Sequence, residues 1–437
     1  MKVWVKLLIG SILGMTIGFL LPNNESVLAA LQWFEKLAIN IGRYAVVPVL
    51  LFSITIAVYE LRLDGQFWQM VLKNFLIIII VSIFVIFSGI IVTSIFTPNR
   101  IPTDIIDRPE IQSIIAEPEK HYLMTELEKH EIIIKPEEQN INVSRNVNEV
   151  FPSNMFSIIT GSGVYLFPVC VLAFFIGLGL NYDRSHSKPV ISLIDSLSRI
   201  FYHVASFFSE ILGFILIVLA AYWAVRFNVI LQVQVYTELI ILLAVFSVVL
   251  CFGVIPLTLY FLKPKVNPWR VLYGFLGPAL AAFFSGDVNF SLPVLQRHSK
   301  ENFGIRRRSS ALSLALFATF CRCGSAMVAA SAFIVVMQTT YINMSTFELV
   351  KIGLYALIIS FVLARHPGEG TYIALATLCL LLGNDSYEKN AYLNIAPIAF
   401  YLAAIGTFID IMLSAFGTYI IAKTNGFIEE KNLVHYI

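Results

Sequence analysis

The sequence is poor in charged residues. Asp, Glu, Lys and Arg make up 13% of its 437 residues, against about a quarter in soluble proteins. Hydrophobic residues make up 58%, and they occur in blocks long enough for membrane spans of about 20 residues. A soluble domain is therefore excluded, and we expect an all-α polytopic membrane protein. The basic residues lie between the apolar blocks and form no single basic face, so no nucleic-acid partner is expected.

Cysteine is also scarce, with five residues that all lie in apolar surroundings. This pattern indicates buried thiols and no disulfide framework. Cys321 and Cys323 are two positions apart, but no second Cys or His pair accompanies them, so we predict no metal site. The sequence contains no nucleophile–base set and no phosphate-binding loop, and we therefore expect neither an enzyme nor a resident cofactor.

Two apolar segments, 271–295 and 350–382, are interrupted by residues that break helices. Ser285, Gly286 and Asp287 interrupt the first segment, and residues 365–370 interrupt the second. Such a break predicts two half-length helices that meet at a tip, as in a re-entrant hairpin. Irregular backbone at membrane depth is tolerated only where protein or a water-filled cavity satisfies it, and this favours a binding site of a carrier.

The charges around these two segments indicate opposite orientations. Basic residues flank the first segment on both sides, namely Lys263, Lys265 and Arg270 before it and Arg297, Lys300, Arg306, Arg307 and Arg308 after it. Basic loops are cytoplasmic, so the first segment should enter from the cytoplasm and return to it. The second segment has no basic excess, and we expect it to enter from the other side. Two oppositely inserted broken segments predict an inverted-repeat transporter.

One long polar insert, residues 97–150, separates the apolar blocks. It contains 11 acidic and 6 basic residues. We expect an extracytoplasmic insert, because long loops are translocated largely regardless of charge. A solvated linker and a small binding element are the two interpretations of it.

Short motifs along nearly the whole chain occur in a characteristic order and spacing. They are LLIGSILG at 7–14, VVPVLLFS at 46–53, FPSNMF at 151–156, GDVNFSLP at 286–293, CRCGS at 321–325, PGEG at 367–370 and IIAKT at 420–424. With these motifs the chain resembles the glutamate/dicarboxylate:cation symporters. The resemblance implies about eight transmembrane helices plus two oppositely oriented re-entrant helical hairpins, in an inverted-repeat, elevator-type transporter. It also implies a homotrimer in the lipid bilayer.

The resemblance further implies a division into parts. Residues 1–96 would form scaffold helices 1–3, the third partly in the transport domain. Residues 97–150 would be the polar extracytoplasmic insert, and residues 151–265 would form scaffold helices 4–6, the sixth partly in the transport domain. Residues 266–437 would form the transport core of hairpin 1, helix 7, hairpin 2 and helix 8. We expect a bacterial inner membrane protein with both termini in the cytoplasm.

Several positions depart from the family pattern that the resemblance implies. Its hairpin serines are replaced by residues 287–289, and the Asn and Asp that hold sodium are replaced by Cys321 and Cys323. Thiols are poor ligands for a hard cation. A sodium-site carboxylate falls on Ser414, and the arginine that holds a substrate carboxylate falls on Gly406. No sodium site is therefore predicted, and sodium and protons both remain open as the coupling ion.

Arg322 lies where cations gather in the family, and it is permanently charged. A buried guanidinium needs a partner, so we predict an ion pair with Asp410 or with Asp287. Arg322 either acts as a tethered cation or only holds the spans together. The candidate substrate and coupling residues are Asp287, Val288, Asn289, Arg322, Gly324, Ser325, Arg365, His366, Pro367, Gly368, Glu369, Gly406, Asp410 and Ser414.

Other roles are open for some of these residues. Asp287 and Asn289 are good helix N-caps, Arg365 and Glu369 suit a solvated rim, and His366 suits packing beside Pro367. Ser325 and the adjacent helix terminus are able to orient a substrate carboxylate.

Three functions are compatible with the sequence. The first is a symporter-like secondary transporter of a small carboxylate or amino acid. The second is a proton-coupled or uncoupled carrier or exchanger of a neutral solute. The third is a degenerate sensor or assembly protein that transports nothing.

Overall fold

A computed structural model describes residues 2–22, 25–98, 165–182, 184–230, 234–262, 266–338 and 344–429, together with residues 101, 158, 431 and 436. Almost all of this part of the chain is helical. The helices are α1 (Val3–Leu20), α2 (Glu25–Arg43), α3 (Val46–Leu63), α4 (Phe67–Phe96), α5 (Phe167–Leu180), α6 (Arg184–Ile230), α7 (Gln234–Val248), α8 (Ile255–Leu262), α9 (Pro268–Ser285), α10 (Val288–Glu301), α11 (Arg307–Phe320), α12 (Cys323–Met337), α13 (Thr346–Val362), α14 (Gly370–Leu382), α15 (Ser386–Lys389) and α16 (Ala399–Thr424). A π-helical turn (Val249–Val254) joins α7 to α8, and 3-10 turns lie at Leu363–Arg365 and Ala391–Ile398.

Within the described residues, eight helical stretches are long and apolar enough to cross a membrane. This confirms the prediction of an all-α polytopic membrane protein. The eight stretches are not all those expected, however. They include Thr346–Arg365, which was predicted as a hairpin arm, whereas Phe167–Leu180, predicted within a span, is shorter. Length and apolar composition alone do not distinguish a long arm from a span, and this explains the difference.

The first helix packs tightly on α6 because small residues recur along it. Gly10, Gly14 and Gly18 face the backbone of α6 at Gly213, at Ile217 and at Ala221, and a Cβ at any of the three would collide with a carbonyl oxygen there. Small residues at spacing four allow helix backbones to approach closely in membranes, where dispersion contacts drive packing.

Both interrupted segments form pairs of helices that pack against each other. In the first, α9 ends at Gly286, whose φ of 61° is in the left-handed region, and Asp287 then begins α10. In the second, α13 ends in a 3-10 turn, and α14 begins after residues 366–369. The predicted breaks are therefore present at the predicted residues.

Helices α11, α12 and α16 form the buried centre, where nearly every residue of α12 and α16 is inaccessible. Helices α9 and α10 and helix α14 surround them. By contrast, α1, α4 and α13 expose large apolar side chains, as expected of helices that face lipid. The 151–156 motif and nearly all of the 97–150 insert lie outside the described residues.

Candidate functional site

The backbone between α11 and α12 leaves the helical conformation at Cys321 and Arg322, deep inside the molecule. Arg322 is among the largest fully buried side chains, with 1% of its surface exposed. Its Nη2 donates hydrogen bonds to the carbonyl oxygens of His366 (3.2 Å) and Pro367 (3.0 Å). The arginine therefore satisfies backbone oxygens that the second break leaves without helical partners.

Asp410 on α16 provides the negative charge at this site. Its Oδ2 lies 3.3 Å from Nε of Arg322. Its Oδ1 accepts hydrogen bonds from the backbone N–H of Gly324 (2.7 Å) and of Ser325 (3.3 Å), and its Oδ2 accepts one from Ser325 Oγ (2.6 Å). The carboxylate thus occupies the N-terminus of α12, where the helix dipole and free N–H groups favour an anion.

The two broken segments meet directly. The backbone N–H of Val288 donates to the carbonyl oxygen of Pro367 (3.2 Å), the same oxygen that receives a hydrogen bond from Arg322. Gly368 lies close to Asp287, because an ideal Cβ on this glycine would be 3.2 Å from Asp287 Oδ2. The two tips and the α11–α12 break therefore converge within one buried region.

Asp287 has two roles in this arrangement. Its Oδ1 accepts a hydrogen bond from the N–H of Phe290 (2.8 Å), so it is the N-cap of α10 as predicted. Its Oδ2 pairs with Arg43, the last residue of α2. Of the two predicted partners of Arg322, the structure therefore selects Asp410. Asp287 is paired instead with Arg43, which reaches it from α2.

The position of Gly406 is closed to larger side chains. An ideal Cβ at this glycine would lie 2.8 Å from Ser325 Cα and 2.8 Å from Thr371 Oγ1. The Thr371 hydroxyl is buried and has no hydrogen-bond partner among the described residues. Buried polar groups normally have partners, so this hydroxyl is a candidate contact for a bound molecule.

Other candidate residues lie at the edge of this region. Ser414 Oγ donates to the carbonyl oxygen of Asp410 on its own helix (2.7 Å). Asn289 lies inside α10, so it is not the N-cap that was one interpretation of it. Arg365 ends the 3-10 turn, and Glu369 immediately precedes α14. Both are only partly buried, in agreement with a rim position.

The side chains at the α11–α12 break include two thiols, which are poor ligands for a hard cation. The sulfur atoms of Cys321 and Cys323 lie 3.8 Å apart and are fully buried. Across the part of the chain that the structure describes, no three His, Cys, Asp or Glu side chains are grouped so as to hold a metal ion. The Arg322 guanidinium lies between these two cysteines in the sequence.

Sequence reasoning missed two residues of the site. Neither Arg43 nor Thr371 is among the candidate substrate and coupling residues. The only signal for Arg43 was a lone arginine between two apolar blocks, and its partner is 244 positions away in the sequence. No signal marks Thr371, because a threonine in an apolar helix is ordinary.

Comparison with known proteins gives a consistent result. The model of the sodium:dicarboxylate symporter family matches residues 3–424. A proton/sodium-glutamate symport protein of Geobacillus stearothermophilus is 20% identical over 436 residues, which cover 99% of this chain and 96% of that protein. A protein of the same name from Bacillus subtilis is 20% identical over 85% of this chain and 82% of its own length. Human excitatory amino acid transporter 3 is 26% identical over 41% of this chain and 33% of that protein.

Proposed function

Because the chain belongs to the sodium:dicarboxylate symporter family, we propose that it is a secondary active transporter of a small carboxylate or amino acid in which Arg322 takes the place of a coupling cation. The names of its relatives, proton/sodium-glutamate symport proteins, support the substrate class.

One observation carries the proposal. The Arg322 guanidinium is surrounded by two backbone carbonyl oxygens and the carboxylate of Asp410. Carbonyl and carboxylate oxygens are the ligands that hard cations prefer. A guanidinium remains charged at every physiological pH, so these oxygens have a permanent cation partner. The requirement for dissolved sodium is thereby removed at this position.

The surroundings of Gly406 and Asp410 limit the substrate. An arginine is absent at Gly406, and the space next to it is taken by Ser325 and Thr371. A substrate with a second carboxylate would therefore lack a cation at this position. We propose a monocarboxylate or a neutral amino acid, with Thr371 Oγ1 as a hydrogen-bonding contact.

A carrier or exchanger of a neutral solute, proton-coupled or uncoupled, is the second candidate, and a specific observation favours it. The Asp410 carboxylate already accepts hydrogen bonds from the N-terminus of α12 and from the Ser325 hydroxyl. In this state the anion position that we predicted for a substrate carboxylate is occupied by the protein itself. A neutral solute does not have to displace Asp410.

The proposed mechanism divides the chain as the resemblance implies. We propose that residues 266–437 form the mobile transport core, with α9–α10 and α13–α14 as hairpins inserted from opposite sides. Residues 1–96 and 151–265 would form the scaffold of a homotrimer, and residues 97–150 would be extracytoplasmic. Both termini would face the cytoplasm of a bacterial cell. In an elevator step the Arg43–Asp287 ion pair, which joins α2 to the first tip, has to break.

The experiment combines ligand binding with transport. Purified protein is first screened by thermal shift against small monocarboxylates, dicarboxylates and neutral amino acids. The compounds that stabilise it are then tested for uptake into proteoliposomes under a sodium gradient, a proton gradient or neither. The proposal expects uptake of a compound with at most one free carboxylate and without a sodium gradient. A compound that binds without any uptake or exchange would support the sensor function and overturn the proposal.

A further inference from the structure

A cavity lies apart from the site at the tips. It has a volume of about 310 Å³ and lies between the first half of α6 and the junction of α10 with α11. Three cationic side chains line it, those of Arg199, Lys300 and Arg307, together with the buried polar residues Gln296 and Ser310. None of the described residues that line the cavity is acidic. The cavity therefore has the composition of an anion site.

The carboxylates near the cavity lie beside its lining and are shared among several cationic side chains. Arg199 and Arg307 both pair with one carboxylate, that of Asp195, and Arg199 Nη2 lies 3.0 Å from it. Glu60 is a further carboxylate close to Arg307, in an adjoining cavity.

Lys300 adds a further positive charge to the cavity. Its Nζ lies 3.7 Å from the centre of the Tyr202 ring, and the Tyr202 hydroxyl donates to Glu301 (3.0 Å). Glu301 also accepts a hydrogen bond from Arg297 (3.2 Å). Arg297 also pairs with Glu210 (2.7 Å). The charged side chains that line the cavity itself are all cationic, and the carboxylates lie behind them.

An apolar stripe runs along α6 beside the cavity. Leu193, Ile200 and Phe207 are spaced seven residues apart, so they lie on one face of the helix. They are 58%, 56% and 63% exposed. His203 lines the cavity and lies three residues after Ile200, so the cavity and the apolar stripe are contiguous on the helix surface.

We propose that this cavity binds the phosphate headgroup of an anionic membrane phospholipid, whose acyl chain lies along the α6 stripe. A basic pocket between membrane helices provides charge for a lipid phosphate. The exposed stripe favours a lipid over a soluble phosphate compound, because only a lipid is able to occupy the cavity and contact the adjoining stripe at the same time. This site does not depend on the transport function proposed above.

The experiment uses the full chain purified in detergent and titrated with phosphatidylglycerol, with phosphatidylcholine as the neutral lipid and glycerol phosphate as the soluble anion. Thermal stabilisation is the readout. We expect phosphatidylglycerol to stabilise the protein at lower concentration than phosphatidylcholine. Replacing Arg199→Gln together with Lys300→Gln should raise the half-saturating concentration roughly 25-fold, since each cation near an anionic headgroup contributes about fivefold.

Two control variants keep the test decisive. The exposed Lys351→Gln removes a cation from α13 and should bind the lipid like the wild type. Arg199→Lys with Lys300→Arg keeps both charges and should also bind normally, and this separates charge loss from misfolding. Equal stabilisation by phosphatidylcholine, or unchanged binding by the Arg199→Gln, Lys300→Gln variant, would overturn the proposal. Saturation by glycerol phosphate at the same concentration would reveal a soluble-anion site. A change of oligomeric state in that variant without lipid would also overturn the proposal, because it would assign Arg199 and Lys300 to a subunit contact.

Discussion

Two regions of this molecule hold charged residues under very different conditions. At the centre, the side chains of Arg322 and Asp410 are each 1% exposed. At the protein surface, the paired side chains of Arg306 and Glu429 are 50% and 69% exposed. Ions lose several kcal/mol of solvation when buried, whereas exposed pairs are worth about 0–1 kcal/mol. Further hydrogen bonds, from Arg322 Nη2 and to both oxygens of Asp410, help to offset this cost. Such an arrangement is typical of functional sites in membranes.

A second buried arginine sharpens this comparison. Arg226 on α6 is also buried, but its guanidinium lies over aromatic rings, 5.6 Å from the centre of Tyr222 and 5.3 Å from that of Phe400. It therefore contacts polarisable rings, whereas Arg322 contacts carbonyl and carboxylate oxygens. Arg226 provides a matched control for burial of an arginine away from the tips.

The largest effect is expected from Arg322→Met. The change leaves Asp410 buried without its ion partner, and breaking such a pair costs about 3–5 kcal/mol. We expect uptake in proteoliposomes to fall at least 100-fold, because the lower end of that range, about 3 kcal/mol, corresponds to a rate change on the order of 100-fold. Arg226→Met should retain most of the uptake, because its ring contacts lie away from the tips and contribute to stability only. Equal losses in the two variants would remove the distinction between the two arginines.

Asp410→Asn should have the next largest effect. The amide keeps one oxygen for the α12 N-terminus but loses the charge, and hydrogen bonds to charged groups contribute about 1.5–3 kcal/mol each. Denaturation in detergent of the two single variants and of the double variant with Arg322→Met measures the coupling. For contacting residues we expect about 0.5–3 kcal/mol of coupling. Additive losses would show that Arg322 and Asp410 act independently.

The Arg43–Asp287 pair is intermediate between the two regions, since Arg43 is 20% exposed and Asp287 1%. Arg43→Gln should destabilise the closed tip by about 1.5–3 kcal/mol. Asp287→Asn keeps the helix cap, because Asn caps as well as Asp, but it also loses the charge. Both variants remove the ion pair, so they should change the uptake rate in the same direction and to a similar extent. Asp287→Ala also removes the helix cap and should reduce stability further. A normal uptake rate in Arg43→Gln with a slow rate in Asp287→Asn would contradict the proposal that the Arg43–Asp287 ion pair has to break in an elevator step.

The smallest effect is expected from a change in the exposed Arg306–Glu429 pair. Arg306→Gln removes an exposed pair with Glu429, so the free energy of unfolding should fall by less than about 1 kcal/mol. Thermal unfolding in detergent measures it, and Lys351→Gln is the control for loss of one surface charge. A loss as large as that of Asp410→Asn would show that burial does not separate the two regions.

The sequence predicted the local features of this fold well. Both helix breaks follow from Gly286 and from the Pro367–Gly368 pair, whose backbone preferences act locally. Asp410 was one of the two predicted partners of Arg322, because a buried guanidinium needs a partner.

The remaining features depend on tertiary contacts. Arg43 and Asp287 are far apart in the sequence, and their pairing depends on how α2 packs against the first tip. Likewise, Thr371 becomes notable only because the glycine at 406 brings α16 close to its hydroxyl. The roles of α5 and α13 were also ambiguous, because apolar length does not specify how a helix is placed in a membrane.

Sodium-dependent stabilisation of the purified protein tests the central claim most directly. Thermal unfolding is measured in sodium chloride and in choline chloride for the wild type, Arg322→Ala and Arg226→Ala. The account predicts no difference between the salts for the wild type and Arg226→Ala, and a sodium-specific stabilisation of Arg322→Ala, where the freed carbonyl and carboxylate oxygens accept the ion. Stabilisation of the wild type by sodium, with none gained in Arg322→Ala, would contradict the role of Arg322 as a built-in cation.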